Sequence, residues 1–411
     1  MITYATTNMR QMRPLLHTMA SFLRRHRAPG NSSASLGMIV VADPTPHPGT
    51  GRTPFSRRFS SSSHTTGNPA PSFRWLDLQG AGLSMVERLT LEEALLKNTQ
   101  DNWIIVGRHA VWPPKYISIP HIDEVPNAHQ KRKNFHHKVL PDYMKGRPNP
   151  NGMIVMGIGG KAEKLLNSQK VIDDELLVVK RFSGGGTVVM DENAIWTTLI
   201  AGRRRTSQHE ETETSSGQKE MLLCKPYPRD IMKWTAEAVF GPTFNILNAS
   251  QKRQNTMTDK INLPLPKFSL QEDDYVLTLD TTGETRKMGG NAQAITGKQG
   301  WLHHTSFLWD YEDFNMECYL KLPEKRPDYR VDRSHKDFLV KLHEHYGCGG
   351  ESQNKTGSSV FCEAMKQACI ESLGDVRETD WPAVYQQVFD GSDTSMNAWW
   401  LENRTRIQHE L

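Results

Sequence analysis

Two glycine-rich segments about a hundred residues apart carry the residue types from which chemistry could be built: Arg181-Phe-Ser-Gly-Gly-Gly-Thr187 and Arg286-Lys-Met-Gly-Gly-Asn-Ala-Gln293. Each sets main-chain amides beside a fixed positive charge, a combination suited to a nucleotide phosphate or an activated carboxylate. Glycine has no Cβ, so a ligand can approach the main chain closely and unusual φ angles cost little. Arg181 can offer two donors at once to a phosphate or carboxylate. Strand alternation would send Lys287 and Gly289 to one face, the glycine leaving room for a ligand beneath the ammonium.

Both segments need sheet on either side to hold them. Leu176-Leu-Val-Val-Lys-Arg181 is a β-branched run entering the first segment, and Val188-Val-Met190 resumes extended structure after it. Tyr275–Leu279, a turn at Thr282-Gly283 and Thr285–Met288 predict a hairpin delivering the second. Trp103–Val106, Met153–Met156 and Trp301–Trp309 are further strand candidates. Ser84-Met-Val-Glu87 has capping-box spacing ahead of a helix through Leu95, and Ile231–Phe240 reads as another helix. After about Tyr329 the pattern turns helical, through 337–342, 360–373 and 381–389. Residues 111–151, with the basic cluster Lys131-Arg-Lys133, read as a solvated insertion, and 203–219 as a charged loop.

Composition narrows the classes. The chain has 411 residues, 37% hydrophobic and 23% charged, with no apolar run approaching a membrane span. Its five cysteines are scattered without a C-x-x-C, which fits free thiols rather than a disulfide framework. Residues 1–72 hold eight arginines, no lysine and one acid, Asp43; the remainder has 42 basic and 45 acidic residues. The formal charge of +4 therefore belongs to the N-terminal segment and argues against a nucleic-acid-binding core. Residues 1–70, Arg- and Ser-rich, have the composition of a disordered mitochondrial targeting segment, with a plastid signal as the alternative. Gly157-Ile-Gly-Gly160 lacks the third spaced glycine of a dinucleotide fingerprint. His303-His304-Thr305 has no metal-ligand partners at zinc spacing, so a histidine hydrogen-bonding the backbone near a pocket is expected there.

Lys180–Thr187, Arg286–Ala292, His303–Leu308 and the helix Leu83–Leu96 with Glu92-Glu93 together resemble the lipoate–protein ligase A family, within the biotin/lipoate ligase group, over roughly 73–330. The resemblance implies an α+β fold, a mixed and largely antiparallel sheet flanked by helices, with a helical C-terminal accessory region over 331–411. It implies ATP-dependent activation of lipoate to lipoyl-AMP, with Mg²⁺, followed by transfer to a lysine. The implied acceptors are lipoyl domains of 2-oxoacid dehydrogenase E2 subunits and the glycine cleavage H protein, in the mitochondrial matrix. Lys287 matches the catalytic lysine; Arg181, Ser183, Gly184, Gly185, Gly186, Thr187, Gly289, Gly290, Asn291, Ala292 and His304 match substrate- and nucleotide-binding positions. Met190-Asp191 departs from the histidine–aspartate common after the family's glycine loop, and the Mg²⁺ ligands stay unassigned.

Three other readings compete. An octanoyl- or lipoyltransferase without ATP would need a cysteine nucleophile, for which Cys318 lacks context. A biotin ligase would show its own basic glycine loop, which is not seen. A non-catalytic lipoate or lipoyl-domain binder would not require Lys287 beside Gly289-Gly290.

Overall fold

Strand β1 (Phe73–Asp77) leads into the helix Met85–Asn98 and strand β2 (Asn102–Gly107). The computed structural model describes residues 71–108, 112–125, 135–144, 152–202, 223–257, 265–279, 282–296, 300–322, 326–347, 354–389 and 395–411. Residues 1–70, read above as a targeting segment, the cluster 131–133 and the stretch 203–219, read as a charged loop, lie outside them. The first helix starts as its spacing predicts. Ser84 Oγ accepts from the Glu87 amide at 3.2 Å and Glu87 Oε2 accepts from the Ser84 amide at 2.8 Å, a reciprocal capping box. Every residue from Met85 to Leu96 is buried, because the helix packs on a sheet and also beneath the helices Trp381–Phe389 and Met396–Glu402. Its charged residues must therefore be paired inside the protein.

The chain continues through β3 (Met153–Met156), β4 (Val178–Lys180), β5 (Thr187–Met190) and β6 (Ile195–Gly202). A helix Pro228–Thr235 passes through a π turn, Ala236–Phe240, into Gly241–Met257. Then come β7 (Lys267–Gln271), β8 (Asp274–Leu279), β9 (Glu284–Lys287), β10 (Gly289–Thr296), β11 (Gly300–Phe307), β12 (Val376–Thr379) and β13 (Arg406–Ile407). Three sheets result, with orders β10-β11-β6-β2-β1-β12, β13-β4-β3-β5 and β7-β8-β9. The first is antiparallel from β10 to β2 and parallel from β2 to β12. The protein is thus α+β, with mixed sheets flanked by helices, as expected. Alternation along β11 sends Trp301 and Phe307 into one core and Leu302 into another, on the opposite face.

The C-terminal region, expected as a helical accessory region over 331–411, also carries two short strands that pair with the rest of the protein. Residues Gly67–Leu411 group as one compact unit. β12 pairs in parallel with β1, and β13 pairs with β4, the strand that feeds the glycine loop. The helix expected over 337–342 is only His335–Phe338, because Leu339 leaves it to bridge Lys287. The described part of 111–151, residues 112–125 and 135–144, includes buried side chains where a solvated insertion was expected. Lys138 is 3% exposed, its ammonium lying 3.8 Å from the Trp400 ring centroid and donating to Asn403 O and Oδ1 at 3.1 Å each. Among the described residues, no helix is long and apolar enough to cross a membrane.

Candidate functional site

β4 ends at Lys180 and β5 begins at Thr187, and both pair with β3, so Arg181–Gly186 is a loop pinned at each end. Arg181 is 2% exposed. Its Nε–H donates to Ser183 Oγ at 3.1 Å, Nη1 to Val155 O at 3.3 Å, and Nη2 to Gly184 O at 3.0 Å and Gly186 O at 2.8 Å. Four of its five donors are thereby used inside the protein. Arg181 thus braces the loop from within, and it also lines the cavity described below. Burial lowers its pKa to about 10, which leaves it charged at neutral pH.

The three glycines divide their work. Gly184 N–H donates to Gln293 O at 2.9 Å. Gly185 has φ +105°, and a Cβ there would lie 2.6 Å from Asn291 O and 3.0 Å from Ala292 Cα. These two dock the loop against β10. Gly157, part of the Gly157-Ile-Gly-Gly160 run, serves the same layer, since a Cβ on it would overlap Gly185 O. Gly186 and Thr187 line a cavity of about 340 Å³.

Lys287, Gly289, Gly290, Asn291, Ala292 and His304 line the same cavity. The second motif straddles two sheets. Lys287 closes β9, which pairs with β8, whereas Gly289 opens β10, which pairs with β11. Met288 is the fully buried hinge between them, its amide bonded to Tyr275 O and its carbonyl to Leu308 N–H. Lys287 and Gly289 thus belong to different sheets, yet both line the cavity. A Cβ on Gly289 would collide with Ser306 O of the neighbouring strand, so this glycine admits the close approach of that backbone. Gly290 plays a similar part against Val188.

His304 bonds side chains, not the expected backbone. Its Nε2 lies 2.7 Å from Glu92 Oε2 and its Nδ1 3.3 Å from Ser183 Oγ. Glu92 Oε1 accepts from Arg88 Nε at 3.0 Å and from the Thr198 hydroxyl. Arg88 fastens to main-chain oxygens of Gly107 at 3.1 Å and Trp196 at 2.7 Å. Burial opposes charge on Glu92, but His304 and Arg88 outweigh it and hold the carboxyl below its ordinary range. Burial lowers the pKa of His304, so a neutral ring donates from Nε2 and accepts the Ser183 hydroxyl at Nδ1. His303 faces the other way, toward Tyr275 at 3.0 Å and Gln293 at 3.2 Å. Among the described residues no three His, Cys, Asp or Glu side chains could hold a metal.

The cavity wall includes groups that sequence reasoning missed. Asp274 Oδ1 holds Lys287 Nζ at 2.6 Å. Lys321, Arg330 and His335 add positive or titratable groups, and Leu165, Leu308, Met316, Leu320 and Phe338 an apolar side. Thr187 Oγ1, Asn291 Nδ2 and Arg330 Nη2 are buried without a partner. Two of these are pure donors and the third is a hydroxyl, a set that calls for an acceptor-rich occupant. Asp273-Asp274 at a strand start was a visible acidic pair; nothing in the sequence marked Arg330.

Residues 146–217 match the model of the lipoyl protein ligase A/B catalytic domain. That stretch includes β3 to β6 and the whole Arg181–Thr187 loop. A Plasmodium falciparum (isolate 3D7) protein named inactive lipoate–protein ligase 2 is 30% identical over 124 residues, 29% of this chain and 32% of that protein. The match thus spans about a third of that relative's length. A bipartite lipoate protein ligase from Thermoplasma acidophilum, described with its E2 lipoyl domain, overlays with TM-score 0.44 at 14% identity, covering 80% of this chain and 97% of that one. A lipoate-protein ligase A bound with ATP overlays with TM-score 0.40 at 12% identity, covering 80% and 100%.

Glu92→Gln removes the carboxylate paired with the buried Arg88 guanidinium and should cost about 3–5 kcal/mol, read as a lowered denaturant midpoint. A loss below about 1 kcal/mol, the level of an exposed pair, would show that Arg88 does not need this charge. Acid should also destabilise the protein. Burial pushes His303 down to about 3 and His137 to about 4, and burial with Arg330 takes His335 to about 4, against an ordinary 6.5. Such depressed groups contribute stability above pH 6.5 that is lost as pH falls, because the unfolded chain takes up protons the folded one refuses. For His303 alone the slope is about 1.4 kcal/mol per pH unit. Asp191, raised by burial to about 6, works oppositely but singly. The melting temperature should therefore fall from pH 6.5 to 5; a flat or rising profile would contradict this.

Proposed function

We propose that this cavity holds an acyl-adenylate formed from lipoate and ATP, and that the chain passes the acyl group to a lysine of a lipoyl domain. The carboxylate oxygen of lipoate attacks the α-phosphorus and pyrophosphate leaves. The acceptor amine then attacks the acyl carbon, loses a proton, and AMP leaves. The observation that carries this reading is the meeting of Lys287 with Gly186 and Thr187 in one cavity that also has unpartnered donors and an apolar side. Phosphoryl and acyl oxygens would satisfy those donors, and an aliphatic chain would cover Leu308, Met316 and Leu320. Lys287 neutralises charge developing on oxygen in both steps, a contribution of about 3–4 kcal/mol for groups of this kind.

Mg²⁺ is expected to arrive with the nucleotide. The cavity's Asp273 and Asp274 are engaged with Arg229 at 3.4 Å and Lys287 at 2.6 Å, so the described residues do not form a cage for it. The inactive designation of the Plasmodium relative favours a second reading, in which the chain binds lipoate or a lipoyl domain without catalysis; transfer only, from ready-made lipoyl-AMP, is the intermediate case. A cysteine-based carrier transferase has less support, since Cys318 is not among the cavity residues. E2 lipoyl domains and the H protein are the proposed acceptors, and the mitochondrial matrix the proposed location.

Purified protein with ATP, lipoate and an isolated E2 lipoyl domain should raise the domain's mass by one lipoyl group and release pyrophosphate. Lys287→Ala should lower the rate by about 10²–10³ while keeping the wild-type melting temperature. Modification only when lipoyl-AMP is supplied would establish the transfer-only reading; no modification from either donor would exclude ligation and transfer alike. Residues 1–70 fused to a fluorescent protein should enter mitochondria; a cytosolic or plastid signal would contradict the matrix.

A further inference from the structure

The β8–β9 hairpin that carries Lys287 is stitched to residues 327–340, a segment that supplies Arg330, His335, Phe338 and Leu339 to the cavity wall. Glu272, in the turn before β8, accepts the amides of Asp328 and Tyr329 at 3.2 Å each. Arg333 Nη1 donates to Thr285 O at 2.9 Å and to Glu284 Oε1 at 3.3 Å. Val340 N–H donates to Lys287 O at 3.0 Å. Asp274 stands between the two elements. Its Oδ1 is 2.6 Å from Lys287 Nζ and its Oδ2 accepts the Tyr329 hydroxyl at 2.9 Å. Burial, and then the Asp274 carboxylate, raise the pKa of Tyr329, so its hydroxyl remains a donor.

We propose that Asp274 is a positioning residue: it aims the Lys287 ammonium into the cavity and, through Tyr329, couples that aim to the seating of segment 327–340. This rests on the reading that an acyl-adenylate faces Lys287. A lysine side chain has four rotatable bonds and loses about 2 kcal/mol of rotamer entropy when fixed. The carboxylate meets that cost before any ligand arrives and leaves two further ammonium donors for phosphoryl oxygen. The side chain and the main chain of Lys287 thus report on the same segment, one through Asp274 and Tyr329, the other through Val340. Because the hairpin grips the segment by polar contacts, an anionic occupant of the cavity and a seated segment favour each other reciprocally.

Amide hydrogen exchange on the unliganded protein tests this without relying on activity. Asp274→Asn and Tyr329→Phe should each speed exchange of the Val331, Leu339 and Val340 amides by about tenfold, with β6 and β11 unchanged. Unaltered exchange in both variants would overturn the coupling. In the adenylation assay, Asp274→Asn should reduce kcat for pyrophosphate release about tenfold with KM for ATP unchanged, and Asp274→Glu should recover part of the loss. A rise in KM alone, or no recovery, would overturn the positioning role. A wild-type protein without adenylation would sink the ligase reading, and the exchange comparison would still decide Asp274.

Discussion

A fully buried carboxylate, Glu92, is the constraint around which the site is assembled. A charge at that depth is tolerable only with compensating partners. Arg88 on the same helix supplies the opposite charge, Thr198 a hydroxyl from β6, and His304 a ring N–H from β11. The second nitrogen of His304 then takes the Ser183 hydroxyl, whose oxygen in turn receives Arg181 Nε–H. Each donor in this chain meets one acceptor, so a single protonation pattern satisfies it from the first helix to the glycine loop. The loop is held by this chain at Ser183 and, beside it, by Gly184 N–H on Gln293 O.

The opposite wall follows a different logic. Gly289 and Gly290 exist where neighbouring main and side chains come too close for a Cβ, at the point where the chain passes from β9 of the small sheet into β10 of the large one. Lys287 sits on the near side of this transfer, so its ammonium enters the cavity from the three-stranded sheet. Gly186 and Thr187 enter it from the four-stranded sheet, and His304 from the six-stranded one. A site shared by three sheets can keep its groups apart until a ligand bridges them.

The strands flanking both motifs, the capping box at Ser84 and Glu87, and the hairpin ahead of Lys287 were legible in the sequence because local periodicity and turn chemistry determine them. The roles of individual side chains were less so. Arg181 beside three glycines suggests an anion clamp, yet the loop's own carbonyls needed a donor and took it. Asp274 and Arg330 reach the cavity through contacts separated by more than ten and forty residues from Lys287, and no local pattern encodes such pairing. β12 was missed because Val376-Arg-Glu-Thr379 is short and polar, and only the exposed edge of β1 makes it a strand.

The central claim is that one cavity between Lys287 and the Gly186–Thr187 edge receives an acyl-adenylate. A crystal structure with a non-hydrolysable lipoyl-adenylate analogue tests it most directly. The group replacing the phosphate should lie within hydrogen-bond distance of Lys287 Nζ, with the acyl chain against Leu308 and Met316. An analogue bound elsewhere, or one that leaves Lys287 paired only with Asp274, would contradict it.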